Sequence, residues 1–476
     1  MILEVGNVTT KIIEEPRDPK KCYKEIQDYL KVRVQGYQHT QLYKDNKWDG
    51  YKGFLAFHKF ATGFLPVLLN YLTTMGIQVV IRDKRTHLPE WKKELTLKFG
   101  EYDMTTEQRK YQGNAVKSVR NYTKNGELYF PRGILGCATN AGKNLIAVGI
   151  SSNLIDAKTL FIVHNKSIFK QAVKYFSEFF DVGEINDKKF EIKEFTIAMV
   201  KTLANRMKES INVIANCKQF NVVFIDEAHR AGAAQYSYVM RNLDAGVRIM
   251  LSGTALENED DVKNMTIIGL SGVVLYQVSN QELIDNQVSR KPTIHMRMNK
   301  GASYLNYDEE VYHRIQFCNN RNNDIRQVCE EHLGKQIIVS FSIIEHGEEL
   351  FEWLKDLDTT VQLVHGTTAN REEILERFSE KRINILIAST IIQEGLNMGL
   401  INVLCYAMGG GSVIRLKQTI GRALRDNEDS NLDIYDWYDV GRHVEGHSRK
   451  RARTYKKEGF EILTNYPSTR GYLPKI

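Results

Sequence analysis

The sequence predicts an α/β protein with two lobes, each a doubly wound parallel sheet, preceded by a small α+β accessory domain. Three observations carry this expectation. The run Val222-Val223-Phe224-Ile225 is β-branched and aromatic and ends abruptly in Asp226-Glu227-Ala228-His229, the pattern of a buried parallel strand that delivers polar groups at its C-terminal edge. Gly133-Ile134-Leu135 leads through Cys137-Ala138-Thr139-Asn140-Ala141-Gly142-Lys143-Asn144 into Leu145-Ile146-Ala147-Val148, which reads as a strand, a tight Gly-Lys turn and a helix start. Strand-like and helix-like segments alternate through two long blocks, which favours open sheets with helices on both faces over a barrel.

Taken in chain order, the 476 residues exceed what one hydrophobic core accommodates. Residues 1–100 mix strand-like runs such as Val79-Val80-Ile81 with helical patterns at 20–30 and 65–75, and form the accessory domain. Its distinctive stretch is Tyr43-Lys44-Asp45-Asn46-Lys47-Trp48-Asp49-Gly50-Tyr51-Lys52, a turn whose aromatic rings and lysines offer stacking faces and phosphate partners. The alternative for Trp48 is packing against its own domain. Residues 104–275 form the first lobe and 325–445 the second, with strands in the latter expected at 336–341, 361–364, 383–388 and 403–406. The polar stretch 276–324 reads as the connection between them. Residues 446–476 form a basic tail, in which Arg449, Arg451 and Arg453 are candidates for phosphate contact.

Two acids at a strand edge suit a magnesium nucleotide. Asp226 is placed to hold the ion, and Glu227 to orient and deprotonate a water attacking the γ-phosphate. A Gly-Lys turn opening a helix presents backbone N–H groups to phosphate while the lysine reaches the terminal phosphates. The loop departs from a standard P-loop, with Asn140 where glycine is usual and Asn144 where a hydroxyl would ligate magnesium. Asn tolerates left-handed backbone, and its amide oxygen can ligate a hard cation. Ser252-Gly253-Thr254 follows the apolar Ile249-Met250-Leu251 at another strand end, and Gln418, Arg422 and Arg425 share one helix face.

The ordered set resembles the superfamily 2 helicases and translocases. Arg109-Lys110-Tyr111-Gln112 resembles their adenine-reading segment, Cys137 to Asn144 motif I, Ile162-Val163-His164 with Gln171 motif Ia, and the Asp-Glu-Ala-His of residues 226–229, a DEAH box, motif II. Ser252 to Thr254 resembles motif III, Ala388-Ser389-Thr390 running to Glu394-Gly395-Leu396-Asn397 motif V, and Gln418 to Arg425 motif VI, while His365-Gly366 and Arg371 fit the segment between motifs IV and V. The resemblance implies two RecA-like lobes that bind ATP and Mg²⁺ between them. It implies a catalytic set of Lys143, Asp226, Glu227, His229, Gln418, Arg422 and Arg425. Arg109, Tyr111, Gln112, Thr139, Asn140, Ala141, Gly142, Lys143, Asn144 and Gly395 would contact the nucleotide, with Asn144 and Asp226 on the metal. Ser252 and Thr254 would couple hydrolysis to a nucleic-acid strand touched by Thr390. The Trp-Asp-Gly turn is similar to one in UvsW-type phage recombination helicases, which implies branched DNA such as forks, Holliday junctions and displacement loops, in recombination or repair, read by Trp48, Lys47 and Lys52.

Composition sets bounds on these expectations. Hydrophobic residues at 42% and charged residues at 26% describe a globular chain, and a net charge of +7 permits a polyanion partner without requiring one. Six cysteines without a CxxC pair read as isolated thiols, Cys137 being a small packing residue, rather than a zinc or disulfide framework. With no run long enough to span a membrane and no signal peptide after Met1, a cytoplasmic monomer is expected, in the host cytoplasm if the protein is viral. Rival readings are an RNA or RNA–DNA hybrid helicase, the motor subunit of a restriction system, and a non-hydrolysing clamp motivated by Asn140 and Asn144.

Overall fold

The computed structural model describes residues 1–15, 19–86, 88–124, 128–389, 401–424 and 431–464. The chain forms two compact units, Met1–Val278 and Ser279–Ile476.

The first unit holds the accessory domain and the first lobe. The domain's sheet runs in the order Leu55–Ala56, Lys59–Ala61, Thr9–Glu14, Ile2–Val5, Val80–Asp83, antiparallel except for the last pair. Ile12 from the sheet joins Ile26 of the helix Pro19–Tyr29 and Leu68, Leu69 and Leu72 of the helix Leu65–Thr74 in one core. That core is continuous with the lobe through Phe130, Met265 and Ile268. Gly63 permits the contact, because a Cβ there would sit 2.0 Å from the carbonyl oxygen of Ile268. A separate two-stranded ribbon pairs Lys31–Arg33 with Tyr51–Gly53.

The first lobe is a seven-stranded, all-parallel sheet in the order Val182–Ile185, Phe195–Met199, Thr159–Val163, Val222–Asp226, Val247–Leu251, Arg132–Cys137, Val274–Val278. Its middle strands are mostly apolar and buried nearly along their whole length because helices cover both faces. At the N-terminal edge two arginines lie side by side in register, Arg132 and Arg248, both fully buried. Neither is hydrogen-bonded to a carboxylate among the described residues. Arg248 donates to the carbonyls of Met240, Leu243 and Ala245 at the end of the helix Ala234–Asn242. Arg132 donates to those of Leu270 and Ser271 at the end of the helix Asp261–Leu270, and to that of Asn7 in the accessory domain. Each guanidinium meets the negative end of a helix dipole and satisfies carbonyls left without intrahelical partners.

The second unit is also a seven-stranded parallel sheet, ordered Val361–Val364, Ile385–Ala388, Ile337–Ser340, Val403–Tyr406, Leu432–Asp439, Pro292–Asn299, Glu461–Thr464. Two of the expected boundaries need correction. Residues 276–324 are not a connection, since Pro292–Asn299 is an eight-residue strand inside this sheet and Asn319–Glu331 a helix packed beside it. Residues 446–476 are not a free tail as far as they are described, because Val444–Lys457 is a helix on the sheet and Glu461–Thr464 its edge strand. Arg451 explains the error. It is 2% exposed, and it donates to Asp436 at 2.9 Å and to the carbonyls of Gly410 and Trp437. The residue is a structural ion-pair partner, which corrects its assignment to phosphate.

His346, on the helix Ile344–Leu354, is 1% exposed. Burial, aided by the Arg321 charge, depresses its pKa to about 3. The folded state keeps this imidazole neutral while the unfolded state protonates it near its ordinary value, so stability falls as pH drops through the window between the two. Each pH unit inside that window is worth up to about 1.4 kcal/mol. The thermal midpoint is expected to fall on acidification below about pH 6.5, with a flatter profile in His346→Leu; parallel profiles for the two proteins would count against it.

Candidate functional site

The C-terminal edge of the first lobe's sheet gathers the predicted site residues. The strands Arg132–Cys137, Val247–Leu251 and Val222–Asp226 are neighbours, so the segments that follow them are adjacent. The loop after Cys137 turns tightly, with the Ala141 amide donating to the Ala138 carbonyl at 3.2 Å. Asn140 has φ 77° and Gly142 φ 69°, both left-handed. Asn is among the few non-glycine residues that accept this region, which is how the loop turns without a glycine at position 140. Gly142 has no substitute, because a Cβ there would lie 2.4 Å from Gln112 Nε2. Lys143 and Asn144 then open the helix Lys143–Ser152, whose first amides have no partners inside the helix. Thr139, Lys143 and Asn144 are partly exposed, while Ala141 is buried.

Gln112 connects this loop to the helix Lys110–Asn121. Its Nε2 donates to the Ala141 carbonyl at 2.9 Å and to the Tyr111 hydroxyl at 3.4 Å. Its Oε1 is buried without a hydrogen-bond partner among the described residues. A buried acceptor of this kind fits an adenine amino group, whose donor it would satisfy. Tyr111 is 3% exposed, so it supports Gln112 from within the core rather than offering an open stacking face. The Arg109 guanidinium lies over the Tyr102 ring, 5.6 Å from its centroid.

Lys143 Nζ is 3.5 Å from Glu227 Oε1, and Glu227 Oε2 is 3.3 Å from His229 Nδ1. Glu227 has φ 56°, a left-handed position that turns its side chain off the strand end. The Asp226 carboxylate accepts from the Glu227 amide at 3.0 Å. Tyr236 is buried nearby; burial, with the Asp226 charge adding to it, raises its phenol pKa. Ser252 is fully buried and its hydroxyl accepts from the Thr254 amide at 3.1 Å. A Cβ on Gly253 would sit 3.0 Å from the Cys137 carbonyl oxygen, so this segment lies directly against the phosphate loop.

In the second unit, Gln418 and Arg422 are partly exposed on the helix Val413–Ala423, one turn apart. Thr390, Gly395 and Arg425 lie outside the described residues. Arg449 pairs with Glu445 at 2.9 Å, and Arg453 is exposed. Trp48 is half-buried, its indole N–H donating to the Tyr51 carbonyl at 2.7 Å, while Lys47 and Lys52 are exposed. Sequence reasoning named His164 but missed the groove of about 550 Å³ it lines beside the strands Thr159–Val163 and Phe195–Met199, where Lys166, Lys201, Thr202 and Arg206 meet Asp187 and Glu209. The signal was the Lys201-Thr202 pair just after an apolar strand.

Residues 105–257 match the family model for the res subunit of type III restriction enzymes, and residues 320–427 match the helicase conserved C-terminal domain. The chain belongs to the superfamily 2 helicases. Its two parallel sheets are the RecA-like lobes of that superfamily. It is 24% identical over 374 residues to a protein of Sulfolobus islandicus filamentous virus named as a helicase, covering 70% of this chain and 65% of that one. It is 24% identical over 373 residues to the DNA 3'-5' translocase XPB2 of Sulfurisphaera tokodaii, covering 69% of this chain and 81% of that one. The crystal structure of T4 UvsW aligns with 98% of this chain and 99% of its own, at 18% identity and a TM-score of 0.44. The chain thus spans about two thirds of the length of the viral relative.

Because Gly142 is both left-handed and pressed against Gln112, Gly142→Ala is expected to distort the loop. ATP affinity, measured by displacement of a fluorescent ATP analogue, should fall at least about tenfold, equivalent to about 1.4 kcal/mol. Unchanged affinity would mean that nucleotide does not depend on this turn.

Proposed function

We infer that this helicase is an ATP-driven DNA motor that acts on branched or forked substrates. The observation that carries the nucleotide part is the meeting of Lys143 and Glu227 at 3.5 Å, a phosphate-loop cation against a strand-end acid 84 residues away in sequence. With ATP bound, Lys143 exchanges Glu227 for the terminal phosphates, and the freed carboxylate orients and deprotonates the attacking water. Asn144 and Asp226 are the groups that would hold Mg²⁺, whose charge would offset that of the phosphates. Gln112 Oε1 would accept from the adenine amino group. Gln418 and Arg422 are assigned to the γ-phosphate by their match to motif VI, as is Arg425. The intact Lys143, Asp226, Glu227, Arg422 and Arg425 speak against a non-hydrolysing clamp.

A nucleic-acid strand is assigned to the groove at the same sheet edge as the phosphate loop, where His164, Lys166, Lys201 and Arg206 outnumber Asp187 and Glu209. Gly253, packed against that loop, gives Ser252 and Thr254 a direct mechanical path from nucleotide state to the rest of the lobe. The choice of DNA is supported by the likeness to a named DNA translocase, and that of a branched substrate by the Trp48 turn on its basic ribbon.

Lys143→Ala and Glu227→Gln are each expected to lower polynucleotide-stimulated ATP hydrolysis at least about a hundredfold, with Glu227→Gln retaining nucleotide binding. Turnover should be measured with matched single-strand, duplex, fork and four-way-junction DNA and with RNA counterparts. Near-normal turnover in either variant would remove these residues from the chemistry, and stimulation by RNA alone would replace DNA as the substrate.

A further inference from the structure

A second groove, of about 780 Å³, lies in the first unit between the accessory domain and the lobe. It is remote from the nucleotide site. Arg248, in its wall, is the second residue of the strand Val247–Leu251, whereas Ser252 and the phosphate loop follow the opposite, C-terminal ends of the strands. One wall comes from the accessory domain, through Lys52 and Lys59, and the other from the helix Ala234–Asn242, through Arg241. Its lining carries Lys52, Lys59, Arg241 and Arg248 and not one Asp or Glu. Lys52, Lys59 and Arg241 are exposed, and none of the three is ion-paired to a described residue.

Unbalanced positive charge of this kind seeks a polyanion. Gly53 lines the groove with open space where a side chain would stand, which lets a phosphate backbone come close there. Stacking on bases is disfavoured, because the aromatic faces are occupied. Lys52 lies over the Phe54 ring at 5.8 Å and Lys208 over the Tyr238 ring at 5.4 Å, while Phe60 and Phe64 are buried. Cations without open stacking planes hold a duplex by its backbone, whereas sequence-tolerant single-strand sites combine cations with exposed rings. The groove also begins at Lys52, on the strand that follows the Trp48 turn.

We propose that this groove holds the phosphate backbone of a duplex DNA arm, separate from the strand engaged by the motor. The proposal rests on the DNA-motor reading and adds a second site to it. The arm is clamped between the accessory domain and the lobe, and sequence is not read. Bound there, duplex would be kept at a fixed place relative to the sheet whose other edge hydrolyses ATP.

The test uses the full chain with Lys59→Ala/Arg241→Ala, and with Lys59→Gln/Arg241→Gln as a second variant that keeps longer polar stems. Fluorescence anisotropy would report binding of a short blunt DNA duplex and of a single strand of the same length, across a salt series without nucleotide. Each lost phosphate contact removes about 0.9 from the slope of log affinity against log salt, so the double variants should lose about 1.8 for duplex. Duplex affinity at moderate salt should fall about tenfold or more, with single-strand affinity little changed. An unaltered duplex slope and affinity, or an equal loss on single strand, would overturn the proposal. Failure of the motor reading is seen separately, as absence of polynucleotide-stimulated ATP hydrolysis in the wild-type protein.

Discussion

The first lobe depends on a close approach at its phosphate loop, which is held from two sides. Gln112 presses on Gly142 from the preceding helix, and Gly253 presses on Cys137 and Ala138 from the neighbouring strand end. A Cβ would meet Gln112 at 2.4 Å in the first contact and Cys137 at 3.0 Å in the second, and between them they hold a loop whose own backbone is left-handed at Asn140 and Gly142. Tight packing of this sort transmits displacement instead of absorbing it. A shift of the loop would therefore displace Gln112 on one side and Ser252 to Thr254 on the other. Parallel strand order does the rest, bringing Lys143, Glu227 and Ser252 to one edge from segments far apart in sequence.

The opposite edge of the same sheet is built on a different principle. Among the described residues, Arg132 and Arg248 are buried cations hydrogen-bonded only to carbonyls, an arrangement that depends on helix ends supplying the negative pole. Because Arg132 also binds the Asn7 carbonyl, one guanidinium fastens the accessory domain, the helix Asp261–Leu270 and the strand of the phosphate loop together. Leaving that charge without its carbonyls would be costly, so the junction is committed to one arrangement. The basic groove lies along this junction, which places it between two surfaces of one compact unit.

The strand ends that carry the first lobe's candidate site were legible because they advertise themselves: an apolar run that stops at Cys137 or Asp226 is visible without neighbours. The strands expected at 336–341, 361–364, 383–388 and 403–406 were legible for the same reason. Leu432–Asp439 was not, since Asp433, Asp436 and Asp439 interrupt its apolar pattern, and what makes them acceptable is distant in sequence. Asp439 meets Arg321 at 3.2 Å, Asp436 meets Arg451 at 2.9 Å, and Asp433 meets His295 at 2.9 Å. Arg451 looked like part of a basic tail for the mirror-image reason, as local sequence displays a charge but not the carboxylate that buries it. Pro292–Asn299 is similarly polar, with His295 and Arg297 both paired. The orphan acceptor on Gln112 was also invisible, because it arises only from the geometry of Ala141 and Tyr111.

The central claim is that this loop and Gln112 together bind and hydrolyse an adenine nucleotide. Guanine presents a carbonyl where adenine presents an amino donor, so a buried acceptor discriminates between them, and mismatched buried polar groups cost about 1–3 kcal/mol. The most direct measurement is the turnover of ATP and GTP by the wild-type protein with saturating DNA. The account predicts that kcat/KM for ATP exceeds that for GTP by about ten- to a hundredfold, and that Gln112→Ala erodes the difference. Equal use of the two nucleotides by the wild-type protein, or full discrimination retained in Gln112→Ala, would contradict it.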